Sequence, residues 1–445
     1  MNLKQVLASR TPSRGSYVAS VGNLMVRVPV ENVPVRIYSA ISTRSSRVPD
    51  DTMGRVDLEA FSWLLSAPGQ ALLARAAELY DGPAADPIRV ADLLRKEATA
   101  EHAAAAMTQV ELRHKASAKF GDLAASMYFT RDGLEQATRF RVAEHRAARI
   151  AAAGPSSVLD LGCGIGGDLV AFARAGLTTA GIDSDPLRVA VASANLGALG
   201  LGGAVQVADG TALDLSGFGV VFADPARRNA KGRVFDIDSY APPWSFVESL
   251  LQRPSCVKVA PGIPHDAVPP EVEAEWVSDE GDVKEAALWS PRLATARHRA
   301  TVIMSSGLAT LTDEDDPGDQ SLRPVQRWLY EPDGAVIRAG LVTAVAAGVE
   351  GGLVDEHIAY VTSDKPFTTP FARSYEVLET LPYKEKALRA ALRERNIGRL
   401  TIKKRGVNIV PDELRKRLAL KGDDEATVVL TRAEGKGIAL LVRPL

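Results

Sequence analysis

Ser157-Val158-Leu159-Asp160-Leu161-Gly162-Cys163-Gly164-Ile165-Gly166-Gly167-Asp168 is the stretch that decides the architecture of this chain. Ser157 to Leu161 reads as a buried strand, a short apolar run closed by glycine. The glycines at 162, 164, 166 and 167 permit a tight turn and let backbone approach a ligand closely. A helix near 167–175 follows, and its first turn presents free N–H groups and the positive end of the helix dipole. Asp160 is the polar exception in an apolar strand, two residues before the first glycine. An acid there suits a ligand better than a core.

Outward from this turn, strands and helices alternate. Thr178 to Ile182 reads as the next strand, and Pro186 opens a helix at the position proline favours. Further strands are expected at Ala204–Ala208, Val220–Ala223 and Cys256–Ala260, then at Glu275–Val277, Glu285–Trp289 and Ala300–Met304. The pattern predicts an α/β domain over 153–310, a parallel doubly wound sheet with helices on both faces. Residues 53–152 are rich in good helix formers and predict a helical N-terminal domain. Residues 1–52 sustain no period and read as a disordered or extended segment. Residues 311–370 read as a connecting region with an acidic loop at 313–316. From 371 to 445 the order βαβαββ predicts a small separate α/β domain.

Composition narrows the functions. Hydrophobic residues make up 46 % and charged residues 24 %, as in ordinary globular proteins, and no apolar run is long enough to cross a membrane. Two cysteines, Cys163 and Cys256, make no disulfide framework and point to a reducing cytoplasm. The six histidines lack the spacing of a helical zinc pair, which argues against a metal. Net charge is −2, so any nucleic-acid footprint must be local. One exists: Tyr383 to Lys421 holds thirteen Lys or Arg against four acids, net +9, densest at Lys403-Lys404-Arg405. A cluster of this kind is an electrostatic footprint for nucleic acid, although charge runs are often only solvated helix faces.

Two cofactors compete for the glycine turn. Gly162, Gly164 and Gly167 satisfy the dinucleotide pattern, and Asp183 follows at the spacing of a ribose-binding acid. Three features favour a different nucleotide. Asp160 can accept from an ammonium group, Asp209-Gly210 ends the third strand where an adenine amine can be received, and Asp224-Pro225-Ala226-Arg227 ends the fourth. The segment from Asp160 to Asp224 thereby resembles the class I S-adenosylmethionine-dependent methyltransferases. Asp160 to Gly166 matches their DxGxGxG motif, Asp183 their ribose acid and Asp209 their adenine-facing acid. Asp224 to Arg227 stands where many of them carry Asp/Asn-Pro-Pro-Tyr. The resemblance extends to a bacterial group that joins this Rossmann-like sheet to a C-terminal THUMP-like domain. Tyr128-Phe129-Thr130, Gly133 to Thr138 and Asp224 to Arg228 carry it, with Lys258 to Gly262 and Glu275 to Glu285. The trimethylguanosine synthases are more distant relatives.

The resemblance implies S-adenosyl-L-methionine as cofactor, held by Phe129, Thr130, Gln136, Asp160, Gly162, Gly164, Gly166, Asp183, Asp209 and Asp224. It implies methyl transfer at Asp224 and Pro225. Arg227 and Arg228 are candidates for a substrate phosphate, or else for ion pairs with Asp236 or Asp238. Ala226 and Arg227 replace the second proline and the aromatic of the related motif, so Trp244 is the candidate stacking surface, its alternative being simple packing. Thr130 has the alternative role of capping a helix that begins near Asp132. The THUMP-like resemblance makes structured RNA, such as tRNA or rRNA, the expected partner of Lys403, Lys404 and Arg405. Transfer to a base nitrogen is expected over carbon, since no catalytic cysteine motif is present. The alternatives are a methyltransferase for a small molecule or protein, and an RNA-binding protein that holds the cofactor without turnover.

Overall fold

The computed structural model describes residues 57–80, 82, 85–227, 240–319 and 321–445, with backbone alone at 16–21, 24–29, 226 and 227. The backbone-only N-terminal part is an antiparallel hairpin, β1 (Ser16–Val21) and β2 (Leu24–Pro29). The rest of the 1–52 segment lies outside the described residues. The chain divides into two compact units, which meet in sequence at Val257 and Lys258.

The first unit opens with helices α1 (Leu58–Leu64), α2 (Ala67–Leu79), α3 (Pro87–Leu94) and α4 (Ala100–Phe120). Asp57, Ser66, Asp86 and Thr99 cap them in turn, each accepting from a backbone N–H of the first turn, the group a helix start leaves unpaired. Two further helices follow, α5 (Arg131–Gln136) and α6 (Phe140–Ala152). The sheet strands are β3 (Ser157–Leu161), β4 (Thr178–Asp183), β5 (Ala204–Val207), β6 (Val220–Ala223) and β9 (Ser255–Val259). Helix α7 (Gly167–Arg174) links β3 to β4, and α8 (Pro186–Ala198) links β4 to β5. Between β6 and β9 lie the short pair β7 (Ala226–Arg227) and β8 (Tyr240–Ala241), then α9 (Trp244–Leu251).

These five strands are parallel in the order β9-β6-β3-β4-β5. From β3 the chain builds outward through β4 and β5, then returns to add β6 and β9 on the other side. The reversal opens a crevice between the carboxyl ends of β3 and β6, the place where open α/β sheets hold ligands. Residues 53–152, expected as a domain of their own, share this unit with the sheet. Their apolar faces close on it: α1 contacts α8, and α6 packs on α7.

In the second unit the expected all-parallel continuation gives way to mixed pairing. Strands β10 (Glu273–Asp279), β11 (Asp282–Trp289), β12 (His298–Met304) and β13 (Gly307–Thr312) pair in the order β13-β12-β10-β11. Only β10 and β12 run parallel. The cause is the turn Glu280-Gly281, both residues at positive φ, a two-residue hairpin too short for a crossover helix.

Residues 311–370, expected as a connector, supply three strands of a second sheet. These are β14 (Trp328–Pro332), β15 (Gly352–Asp355) and β16 (Ile358–Ser363), with helices α10 (Gly334–Ala339) and α11 (Val342–Gly348). The C-terminal elements follow the expected βαβαββ order: β17 (Ala372–Leu381), α12 (Glu385–Glu394), β18 (Ile397–Lys404), α13 (Pro411–Leu418), β19 (Asp424–Ala433) and β20 (Lys436–Pro444). All seven strands join in the order β15-β16-β14-β17-β20-β19-β18. Helices α12 and α13 bury Leu388, Leu392, Leu414 and Leu418 against Ile402, Val428 and Leu430. The neighbouring Val429 turns to the other face, with Leu329, Tyr360 and Tyr375, the period-two alternation of a strand.

Candidate functional site

The crevice of the first unit collects the glycine turn and the acids at the strand ends. Gly162, Gly164 and Gly166 all sit at positive φ, a conformation that β-carbons resist. An added Cβ at Gly166 would stand 3.0 Å from Ala192 of α8, whereas one at Gly164 would meet nothing within 4 Å. The turn is closed against the helix yet open at its crest. The N–H groups of Gly162 and Cys163 both donate to the Ile182 carbonyl.

Asp183, at the end of β4, is buried and fastens the turn. Its Oδ2 accepts from Gly164 N–H at 3.0 Å and its Oδ1 from Asp185 N–H at 2.9 Å. Each oxygen keeps a lone pair for a further donor. Asp160 is 1 % exposed, and its Oδ2 has no hydrogen-bond partner, an arrangement that costs free energy unless a ligand supplies the donor. Burial, then the negative charges of Asp168, Asp224 and Asp183, push its carboxyl well above the usual range, with Arg146 opposing.

Arg146 was not singled out by sequence reasoning. It projects from α6, is fully buried, pairs with Asp168 at the start of α7, and lies over the Phe222 ring at 4.4 Å. Its only advance signal is an arginine on the apolar face of α6, beside Val142, Ala143 and Ile150. Three further carboxylates therefore act on Asp160, against one buried guanidinium. Such an excess of negative charge repels a pyrophosphate and suits a ligand that carries cationic groups.

Asp224 follows β6, and its carbonyl oxygen would lie 3.8 Å from a Cβ on Gly162; Pro225 beside it is buried. Asp209 is exposed, its Oδ1 accepting from Thr211 N–H and Oγ1. Those two bonds, the hydroxyl's first, hold its carboxyl below the usual value. The Arg227 side chain, Arg228, Asp236 and Asp238 lie outside the described residues. Trp244 is only 9 % exposed and meets Tyr240 edge-on at 5.4 Å. As the first residue of α9 it is buried in packing, the alternative expected from sequence.

The upstream segment lies beside the turn. Thr130 caps α5 by accepting from Gly133 N–H at 3.0 Å, the alternative role expected from sequence. A Cβ on Gly133 would lie 2.4 Å from the Ile165 side chain, so α5 leans on the glycine turn. The Phe129 ring is buried against Phe120 and is thereby core rather than an open contact. Gln136 is exposed, its Oε1 accepting from Arg188 at 3.3 Å.

In the second unit, Lys403 and Arg405 converge on Glu331. Lys403 Nζ lies 3.0 Å and an Arg405 nitrogen 3.8 Å from its carboxylate, which also accepts from Tyr375 OH at 2.8 Å. The two cationic side chains are 28 % and 30 % exposed. Lys404 points to solvent and makes no ion pair among the described residues. Part of the expected nucleic-acid cluster is thus an internal charge network.

A Rossmann-like sheet with a glycine turn and an acid at the end of successive strands defines a nucleotide-cofactor fold. A family profile described as THUMP domain-like matches residues 372–444, and one for a domain of unknown function matches residues 57–116. Two curated relatives from Mycobacterium tuberculosis, strains CDC 1551 / Oshkosh and ATCC 25618 / H37Rv, are described as uncharacterized S-adenosylmethionine-dependent methyltransferases. Each is 38 % identical over 332 residues, covering 72 % of this chain and 90 % of the relative. A crystal structure described as a proposed methyltransferase from Porphyromonas gingivalis W83 covers 84 % of this chain and 98 % of its own, with TM-score 0.68 and 23 % identity, a likeness of fold. The chain belongs to the S-adenosylmethionine-dependent methyltransferases and carries a THUMP-like domain at its C-terminal end. Its cofactor is S-adenosyl-L-methionine. The orphaned Asp160 oxygen and the acid-rich crevice fit a cofactor with an ammonium and a sulfonium. No helix among the described residues is long and apolar enough to cross a membrane, and no group of metal-ligating side chains is found among them.

Proposed function

We propose that the chain methylates a base nitrogen of a structured RNA. The observation that carries this reading is Asp224-Pro225 at the carboxyl end of β6, an acceptor pair next to the glycine turn. S-adenosylmethionine supplies an activated methyl group on a sulfonium. The protein has to align the nucleophile and accommodate the shift of charge. Asp224 and the carbonyls around Pro225 accept from the amino hydrogens of a base and leave its nitrogen facing the methyl. Neither thiol is poised for attack on a ring carbon: Cys256 is buried, and burial pushes the Cys163 thiol well up.

Asp160, Gly162, Gly164, Gly166 and Asp183 hold the methionine and ribose parts in this reading, and Asp209 receives the adenine. Loss of the Asp183 carboxylate removes charge-assisted bonds to the ribose hydroxyls. Asp183→Ala is expected to weaken S-adenosylmethionine binding by about 1.5–3 kcal/mol, roughly ten- to a hundredfold. Unchanged affinity by calorimetric titration removes Asp183 from the site.

RNA as the substrate is supported by the net +9 stretch and by the THUMP-like match. Because Lys403 and Arg405 are tied to Glu331, the test uses exposed lysines instead. Replacing Lys386, Lys404 and Lys416 by Glu is expected to weaken binding across unrelated RNA sequences, since phosphate contacts carry no base information. The salt slope should flatten by up to about two units if all three lysines meet single-stranded stretches of the RNA, at roughly 0.7 per contact. Equal affinities and slopes would favour a small-molecule or protein substrate, which the Glu331 network already makes the second reading.

A further inference from the structure

Residues 127–130 belong to no helix or strand, yet Tyr128 and Phe129 are buried. Backbone buried without a ladder must find other partners. Here all four backbone polar groups of the two residues are satisfied by two side-chain amides. Gln109 of α4 accepts from Phe129 N–H at 2.9 Å and donates to the Phe129 carbonyl at 2.7 Å. Asn195 of α8 accepts from Tyr128 N–H at 2.6 Å and donates to the Tyr128 carbonyl at 3.0 Å. Both amides are fully buried.

Asn195 makes a third bond, donating to the Ile165 carbonyl at 2.8 Å. Ile165 is part of the glycine turn, so one side chain ties the 127–130 segment to the loop that faces the crevice. Helix α4 fastens the flanks as well. Arg113 Nε donates to the Met127 carbonyl at 2.8 Å. Lys119 Nζ donates to the carbonyls of Leu134, Glu135 and Ala137 at 2.7, 2.7 and 3.0 Å, closing the end of α5.

We propose that Gln109 and Asn195 are positioning residues for the cofactor site. They hold residues 127–137 and the glycine turn as one preformed wall, so that S-adenosylmethionine does not have to order it on binding. The inference rests on the reading that Asp160 to Asp183 hold the cofactor. Its physical basis is preorganisation: a wall ordered beforehand removes a conformational cost from binding. Removing either amide's donor leaves buried carbonyls unpaired, which the segment relieves by moving toward water. Because Asn195 spans both pieces, that movement displaces the turn.

Gln109→Glu and Asn195→Asp keep the acceptor of each amide and lose the donor. In the full-length protein, each is expected to raise the S-adenosylmethionine dissociation constant about tenfold, the effect of one or two lost buried bonds, with an unchanged circular dichroism spectrum. In turnover the change belongs in KM for the cofactor, with kcat at saturation little altered. The double variant should be little worse than the weaker single one, because both changes release the same segment. Val90→Ala, a core truncation in α3, should lower the melting temperature and leave the dissociation constant alone. Folded single variants with wild-type affinity overturn the proposal, as does an equal loss of affinity in Val90→Ala. Should the amide variants fail to fold, hydrogen exchange of the wild-type protein decides. The Tyr128 and Phe129 amides should be protected before any ligand is added, and rapid exchange that slows only with S-adenosylhomocysteine overturns a preformed wall. Asp183→Ala separates the two levels. If it binds as wild type does, the site reading fails and the positioning role with it. If it binds weakly while the amide variants do not, only the positioning role fails.

Discussion

Asp160→Asn is expected to stabilise the unliganded protein and to cost most of its cofactor affinity. The substitution removes a buried carboxylate whose Oδ2 lacks a partner and which faces three further acids. Removing a buried negative charge that faces three others is worth about 1 kcal/mol or more, which raises the melting temperature by roughly 2–4 °C in a unit of this size. In the proposed function the same carboxylate accepts from the cofactor's ammonium, and its loss should weaken S-adenosylmethionine by about a hundredfold, the upper range for a bond between charged groups. The pH dependence has a defined sign. Asp160 titrates higher folded than unfolded, so from the ordinary carboxylate value of about 4 up to its raised value the folded state holds more protons. Over that window this group's contribution to stability falls as pH rises, and Asp160→Asn should flatten the fall. Melting curves of both proteins across pH, beside calorimetric titration, test this. A variant that is less stable and still binds normally would exclude Asp160 as a ligand-facing acid.

Asp224→Ala is expected to separate binding from turnover. In the proposed function Asp224 orients the acceptor amine and does not carry the cofactor's main contacts, so affinity for S-adenosylmethionine should stay within a few-fold. Single-turnover methyl transfer should fall by about a hundredfold or more, as for other lost orienting groups. A wild-type single-turnover rate on the true substrate would sink the assignment. A matched loss of cofactor affinity would instead move Asp224 wholly into the binding site.

Much of this was legible in the residues. The apolar run 157–161, the glycines after it and an acid at each of four strand ends located the sheet and its crevice, because a parallel sheet imposes buried strands and loops at one edge. The C-terminal order βαβαββ was equally legible from its apolar periods. What escaped notice depends on contacts distant in sequence. Gln109 and Asn195 look like ordinary helix residues until the fold brings both against Tyr128 and Phe129. An asparagine on the stripe of Val191, Ala192 and Leu196 was the available signal. Lys403 and Arg405 read as free charge because Glu331 lies some seventy positions away. For Trp244 the sequence shows an aromatic, while its burial is set by the helix it begins.

The place of β14 in the second sheet bears on where this protein can be cut. The stretch that matches the THUMP-like profile begins at residue 372, but β14, which pairs with β17 from Trp328↔Glu376 to Pro332↔Ala372, lies outside it. A fragment starting at 372 would carry β17 as a bare edge, with unpaired N–H and C=O groups that recruit other chains. It would also uncover Tyr375, Val429 and Leu440, which are buried together with Leu329 and Tyr360. The unit recognisable by descent is therefore smaller than the sheet it belongs to. Any transplant of this module into another enzyme has to take β14 with it, and the compact unit that holds β14 begins at Lys258.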